Sequence, residues 1–564
     1  MTDTTLVPLK NSAIAELKGK TATGQPDPNS QLSIVLVIRH NPAHDLDSLL
    51  AQADAPLDDA QWRPAFAANE QEMKLVVDYI QANGMTIVEQ NTDAAYIEAK
   101  ASVSLAEKVF NIKLANFDIS GVKVCGYQGD LMVPANVAAV LTDICGLQLH
   151  SRLTRARAPA SKRTASEAVG RLPSEVAEFY QFPAYQQSEQ PSSVGIIIWN
   201  GGCWKSDLDT YFNDILKLDP PPKITQMRGY SDELHYGKPA SKENIAAIGR
   251  FEPVVPESEY LSALSSFEMT MDLELAGSLG GGAPVKLYIG DDADTGMESI
   301  GQLYMILAQI LLEGKERPSV LSQSLMVREM KKYLFMESVL ALLTNLGVTL
   351  CYCSGDYGQG TVQGYPNASP WVLSCGGSNI TDLSQRSSEL VWNEAFPAPY
   401  NEWASQGGES SIVPLPIWQE GICLSTGQGG TIKHPLTMRG VPDVAANADQ
   451  TDGIILWAGD EPVDSVGTSA ATPTIAALLV RVNSQLIQQT GRNCGHLTKL
   501  LYQEPSIRQT FFDISKGNNH LPSSDTLQYQ ACEGWDGCTG WGSPNGEALL
   551  TALVQYYKGK EHQS

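Results

Sequence analysis

Apolar and polar positions divide the chain into two stretches of different rhythm. In the first, the β-branched run Leu32–Ile38 predicts a strand, and Met73, Val76, Val77 and Ile80 recur at helical spacing within 69–82. Two further strands, a short helix Leu105–Phe110 and a helix near Val137–Ile144 complete that stretch, while residues before about 28 read as a loose polar arm. Strands and helices alternating over about 120 residues predict a small α/β sandwich, ferredoxin-like in kind. From residue 172 onward the rhythm lengthens. Val194–Trp199, Val285–Ile289, Val320–Leu325 and Val348–Cys353 read as buried strands, with helices over 299–313 and 329–345 between them. Strands separated by long helices predict a mostly parallel sheet. Residues 229–265 lack this order and read as a surface insertion.

Between the two stretches lies a segment of opposite character. Residues 150–171 hold Arg152, Arg155, Arg157, Lys162 and Arg163 with Pro159, and no acid before Glu167. Such a basic, small-residue segment reads either as a target for proteolysis or as a plain interdomain hinge. The whole chain has 564 residues, too many for one ordinary core. Its formal net charge is -24, which repels nucleic acid and anionic membranes, so neither is expected as a partner. The ten cysteines form no pair of Cys-x-x-Cys motifs, which argues against a zinc cage. Cys532 and Cys538 read as free buried thiols, with a bridge as the alternative. No basic-then-apolar signal segment opens the chain, and no apolar run reaches the roughly 18 residues of a membrane span.

Three constellations carry candidate chemistry. Gly467-Thr468-Ser469-Ala470-Ala471-Thr472-Pro473 opens a long apolar helix that ends near Gln489, with Pro473 expected in its first turn. Ser469 at such a turn is a nucleophile or a cap. A nucleophilic serine needs a base, yet none of the eight histidines is followed by glycine, as a subtilisin's base would be. Glu268 and Asp272 lie four residues apart, on one face of the expected helix within Ser266–Gly277. Buried beside Met269, Met271 and Leu273 they would share a proton and serve as a base at acid pH; exposed, they are a solvated face. Asp356, in Ser354-Gly355-Asp356-Tyr357-Gly358 directly after a strand, reads as a neutral donor to an oxyanion or as an ordinary turn.

In order and spacing these motifs resemble the sedolisins, and within them the kumamolisin type with its long propeptide. The resemblance extends from about Leu32 to Ala552 and takes in Tyr127–Pro134, Tyr365–Val372 and Arg439–Val444. It implies a subtilisin-like α/β catalytic domain over 172–564, an inhibitory propeptide over 1–150 and a cleavable linker over 151–171. It implies an acid-acting, self-processing serine endopeptidase with Ser469 as nucleophile, Glu268 and Asp272 as the carboxyl pair and Asp356 as the oxyanion donor. A tripeptidyl aminopeptidase of the same family and an inactive member kept for binding are the alternatives. Polypeptides are the implied substrates, the propeptide an intramolecular inhibitor, the enzyme a monomer and its location extracellular. One structural calcium is implied, held by carboxylates of Asp513 and Asp536 and by carbonyls of Ile514, Cys532 and Gly534; oxygen-only ligation suits that ion.

The sequence departs from the family in three places. Ile198 stands where kumamolisin-like enzymes carry a glutamate, and Leu325 where they carry a tryptophan. The segment Gln406–Ser411 is altered too, so substrate preference does not carry over.

Overall fold

The computed structural model describes residues 5–561, apart from 45, 52–56, 120–121, 148, 151–169, 251, 253, 255, 257–258, 291–299, 329–332, 359–363, 396–401 and 522–528. The basic segment therefore lies outside the described residues, except for His150, Gly170 and Arg171. The chain forms two compact units, the first made of 1–154, 290–317 and 330–346, the second of 155–289, 318–329 and 347–564.

In the first unit, Gln31–Ile38 lies between Tyr96–Ser102 and Leu141–Cys145, and Thr86–Asn91 pairs with the outer side of Tyr96–Ser102. All these pairings are antiparallel, and the order gives the expected ferredoxin-like sheet. Ser102 accepts from Leu105 N at the start of the helix Val103–Phe110, and Asn69 caps the helix Glu70–Ala82. Two expectations fail here. The helix expected over Val137–Ile144 is one turn, Ala135–Ala138, followed by the strand Leu141–Cys145, because Leu141, Ile144 and Cys145 are buried against the central strand. Residues 5–28 are not a loose arm: Leu6–Pro8 pairs with Met132–Pro134, and Leu9, Ile14 and Leu17 enter the core. The Tyr127 hydroxyl donates to Ser12 O at 2.6 Å and fastens the arm. Three scattered apolar residues leave no periodicity in a polar stretch, so this anchoring had no pattern to announce it.

This unit also holds the helices Ile300–Leu312 and Leu334–Asn345. Gln302 Nε2 donates to Glu98 Oε1 at 3.2 Å, and the Tyr304 hydroxyl donates to Ala94 O at 2.9 Å. Arg317 pairs with Asp59 at 3.2 Å, and Arg63 Nη2 donates to Leu312 O at 3.0 Å. Residues from the N-terminal sandwich thus hold the helix Ile300–Leu312, which lies far on in the sequence.

The second unit is built on an eight-stranded sheet. Val194–Trp199, Val320–Gln323, Thr349–Cys353, Leu373–Ile380 and Val444–Asn447 follow one another in parallel register, and Glu389–Val391 pairs antiparallel with Leu373–Ile380. Every residue of Val194–Trp199 and of Thr349–Cys353 is buried, which is why these strands read as continuous apolar runs. The irregular stretch 229–265 contributes a strand, His235–Gly237, and a helix, Lys242–Gly249, of which Ile245, Ala246 and Ala247 are buried. It is less of a surface insertion than expected, because its apolar residues are too few and too short-ranged to show a period.

Candidate active site

The helix Thr468–Thr490 begins at Gly467, whose φ of 87° a glycine adopts without strain. A Cβ there would stand 2.8 Å from Asp356 Oδ2, so glycine also allows that carboxyl to approach. Ser469 is the second helical residue and is half-buried. Pro473 is not in the first turn as expected but is the sixth helical residue. Its missing N–H is the one that would reach back to Ser469 O.

Glu268 and Asp272 lie on the helix Tyr260–Leu279, which is buried along almost its whole length from Ala263. The solvated-face alternative is thereby excluded: a helix apolar and buried all round belongs to an interior. Glu268 is 8% exposed and Asp272 0%.

Asp356 follows the strand Thr349–Cys353, whose end is braced by Asn367 Nδ2 donating to Cys353 O at 2.7 Å. Asp356 Oδ1 accepts from Thr468 N and from Thr468 Oγ1, both at 2.8 Å. Burial raises the Asp356 pKa, and the two bonds from Thr468 oppose that rise without cancelling it. Gln406 N donates to Gly355 O at 2.9 Å and holds the same turn from the altered Gln406–Ser411 segment.

The three constellations meet. Ser324, just past the strand Val320–Gln323, donates to Asp272 Oδ1 at 2.7 Å and lies 3.2 Å from Ser469 O. Ser469 Oγ in turn donates to Ser324 O at 3.4 Å. Cys353 feels the charges of Asp356, Glu268 and Asp272, and burial first, then those charges, push its thiol well above its ordinary pKa. A serine hydroxyl at a helix start, two buried carboxyls and a third carboxyl of raised pKa form a set able to carry out acyl transfer without a histidine. Ile198 and Leu325 are buried and apolar.

The C-terminal residues expected to hold calcium lie close together. Gly534 N donates to Asp513 Oδ2 at 2.8 Å, and Asp513 Oδ1 is buried without a hydrogen-bond partner. Asp536 Oδ1 accepts from Cys538 N and Thr539 N at 2.8 and 2.9 Å, and Asp536 Oδ2 from Cys532 N at 3.2 Å. Burial, with the charge of Asp513 added, pushes the Asp536 carboxyl up to about 7 despite those bonds. Among the described residues no cluster of three or more His, Cys, Asp or Glu side chains is arranged for a metal, and a site of two carboxylates and backbone carbonyls needs none. An orphaned carboxylate oxygen beside a second buried carboxyl is the donor set a hard cation fits. Cys532 and Cys538 are free thiols, as expected.

Other motifs prove structural. In Arg439–Val444 the buried pair Arg439–Asp443 closes at 2.6 Å, and Asp443 also accepts from the Tyr502 hydroxyl and from Ser374 N, both at 2.8 Å. A different acidic pair escaped the sequence reading. Burial first, then the neighbouring Asp449, push the Glu394 carboxyl up to about 8; Glu394 Oε1 accepts from Gln450 N at 3.1 Å. These two residues stand 55 positions apart, and no motif connects them. Ser324 escaped as well, although its place at the carboxyl end of a parallel strand is where such sheets hold their ligands.

A mostly parallel sheet with the serine at the start of a helix beside it defines a subtilisin-like α/β serine hydrolase. Comparison with known proteins narrows that class. The Pro-kumamolisin activation domain matches residues 18–149. Kumamolisin of Bacillus sp. (strain MN-32) is 29% identical over 555 residues, covering 93% of this chain and 92% of its own. Sedolisin of Pseudomonas sp. (strain 101) is 22% identical, covering 88% and 81%. Tripeptidyl-peptidase 1 of Canis lupus familiaris is 30% identical over 227 residues, only 37% of this chain. Among solved structures, Pseudomonas sedolisin with two molecules of pseudo-iodotyrostatin superposes with a TM-score of 0.51 at 20% identity, covering 69% of this chain and 98% of that one, and shares the fold. Over nearly its whole length the chain is thus similar to kumamolisin and sedolisin, peptidases of the serine-carboxyl type, and its N-terminal part matches the kumamolisin activation domain.

Proposed function

We propose that the chain is the precursor of an acid-acting endopeptidase that removes its own activation domain. The observation that carries this reading is the hydrogen-bonded link from Asp272 through Ser324 to Ser469, with Asp356 bound to Thr468 beside it. Ser469 Oγ attacks the peptide carbonyl and Glu268 takes its proton. Asp272 keeps the proton that the pair shares. Asp356, neutral, donates to the oxyanion. Glu268 then hands its proton to the leaving amine, and water repeats the sequence to release the acyl group. A neutral Asp356 and a half-ionised pair together require acid, so activity falls as pH rises.

Residues 1–150 would act as the intramolecular inhibitor, supported by their hold on 300–312. Arg171 N donates to Gly453 O at 2.7 Å, so Gly170 and Arg171 go with the catalytic part and the cut falls within 151–169. The test is mass spectrometry of the purified precursor after a shift to about pH 4. Loss of the residues up to this segment, at a rate independent of protein concentration, is expected; a precursor intact after acidification would sink the reading. The matching stretch of Tripeptidyl-peptidase 1 supports tripeptidyl release as a second reading. Peptides with blocked amino termini separate the two, since only an endopeptidase cuts them.

One structural calcium would be held by Asp513 and Asp536 with carbonyls of Ile514, Cys532 and Gly534. It would neutralise the buried carboxyl pair and supply no step of the reaction. Free calcium at 100 times its Kd would add about 2.7 kcal/mol to the fold. Chelation should therefore lower Tm in the wild type and leave Asp536→Asn unmoved; an equal response in both would remove the ion from this site. A monomer acting outside the cell is the accompanying expectation, checked by sedimentation and by fractionating a producing culture. Among the described residues no helix is long and apolar enough to cross a membrane.

A further inference from the structure

The carbonyl of Ser469 has lost its helical donor, because the residue four positions on is Pro473. Ser324 Oγ stands 3.2 Å from that carbonyl and 2.7 Å from Asp272 Oδ1. A hydroxyl has one hydrogen, and a carbonyl can only accept. When the hydrogen of Ser324 points at Ser469 O, the contact with Asp272 is a hydrogen bond only if Asp272 carries a proton and donates it. When Asp272 is ionised, the hydrogen turns to the carboxylate and Ser469 O is left without this donor. We propose that Ser324 is a positioning residue that couples the proton on Asp272 to the first turn of the helix bearing Ser469.

The proposal rests on the reading of Asp272 as the partner of the base. The coupling reaches the nucleophile twice, since Ser469 Oγ itself donates to Ser324 O at 3.4 Å. The titratable groups around Asp272 are Glu268 one turn earlier on its own helix, Asp356 from the loop after Thr349–Cys353, and Cys353 at the end of that strand. The neutral Ser324 faces it from the end of the strand Val320–Gln323 and joins it to Ser469 O. Protonated Asp272 therefore fixes the serine turn, and its ionisation loosens it, so the nucleophile is held still in the protonation state that the reaction uses.

The test compares Ser324→Ala and Ser324→Thr in the processed enzyme, by kcat and KM against pH. Ser324→Ala should lower kcat about 10-fold with KM unchanged, the size of one lost neutral hydrogen bond. A bond to an ionised carboxylate is roughly twice as strong as a neutral one, so its loss disfavours ionised Asp272 more. The alkaline limb of kcat should therefore move up by about half a pH unit in Ser324→Ala, stay in place in Ser324→Thr, and be unmoved by Ser324→Ala once Asp272→Asn is present. A uniform loss at every pH with the limb unmoved, in a variant of unchanged Tm, would overturn the proposal. Wild-type kcat in Asp272→Asn would instead overturn the catalytic reading beneath it, a distinct result.

Discussion

With Ser469 replaced by alanine, the acidified precursor stays at full length, and kcat toward peptides falls by about five to six orders of magnitude. Glu268→Gln should lose nearly as much, because a serine hydroxyl that cannot shed its proton is a poor nucleophile. The double variant should be no slower than Ser469→Ala alone, since nucleophile and base act as one unit and their losses do not add. What remains is the contribution of the oxyanion donor and of substrate binding. Ser469 is half-buried and Ser469→Ala removes a single oxygen, so stability should stay within about 1 kcal/mol of the wild type. Time courses of processing and of peptide cleavage decide it. Processing at the wild-type rate by Ser469→Ala would return the chain to the alternative of an inactive binding protein cut by another protease.

Substitution at Asp356 separates two roles of one carboxyl. Asp356→Leu should lower kcat about 100- to 1,000-fold, the usual loss for one oxyanion donor. It also leaves the Thr468 amide and hydroxyl without their acceptor, at about 1–3 kcal/mol of stability. Asp356→Asn keeps an oxygen for Thr468 and gains an amide that donates at any pH. Burial raises the Asp356 pKa, so the wild-type group is the neutral donor below that pKa and loses this role as pH rises through it. Asp356→Asn should therefore keep most of its kcat in acid and retain more of it than the wild type on the alkaline side. The pH profile of kcat reads this directly. Wild-type kcat in Asp356→Leu would place the oxyanion donor elsewhere.

The strands of the sheet were legible because burial on both faces leaves unbroken apolar runs, as in Val194–Trp199. The candidate site was legible because three of its parts sit inside local patterns, four residues apart on a helix or flanked by glycines at a turn. What stayed hidden depends on contacts distant in sequence. Leu9, Ile14 and Leu17 anchor the arm one at a time, with no period. Leu141–Cys145 reads as a helix until the strand Gln31–Ile38 pairs with it. Ser324 is one serine among many until Asp272 arrives from 52 residues away.

The Glu394–Asp449 pair, finally, ties the stability of the fold to pH. Glu394 titrates near 8 in the fold against an ordinary 4.5, so between those two values the unfolded chain has released a proton that the native chain retains. The unfolded state then binds fewer protons, and stability declines with each step upward in pH, by at most about 1.4 kcal/mol per unit. Below 4.5 both states are protonated and nothing is lost. Ala448, next to Asp449, accepts from Gly467 N, so this strain arises one residue from the turn that presents Thr468 and Ser469. Between pH 4.5 and 7 the fold would lose at most about 3.4 kcal/mol through this one carboxyl, so its native state is held more firmly in acid than in neutral surroundings.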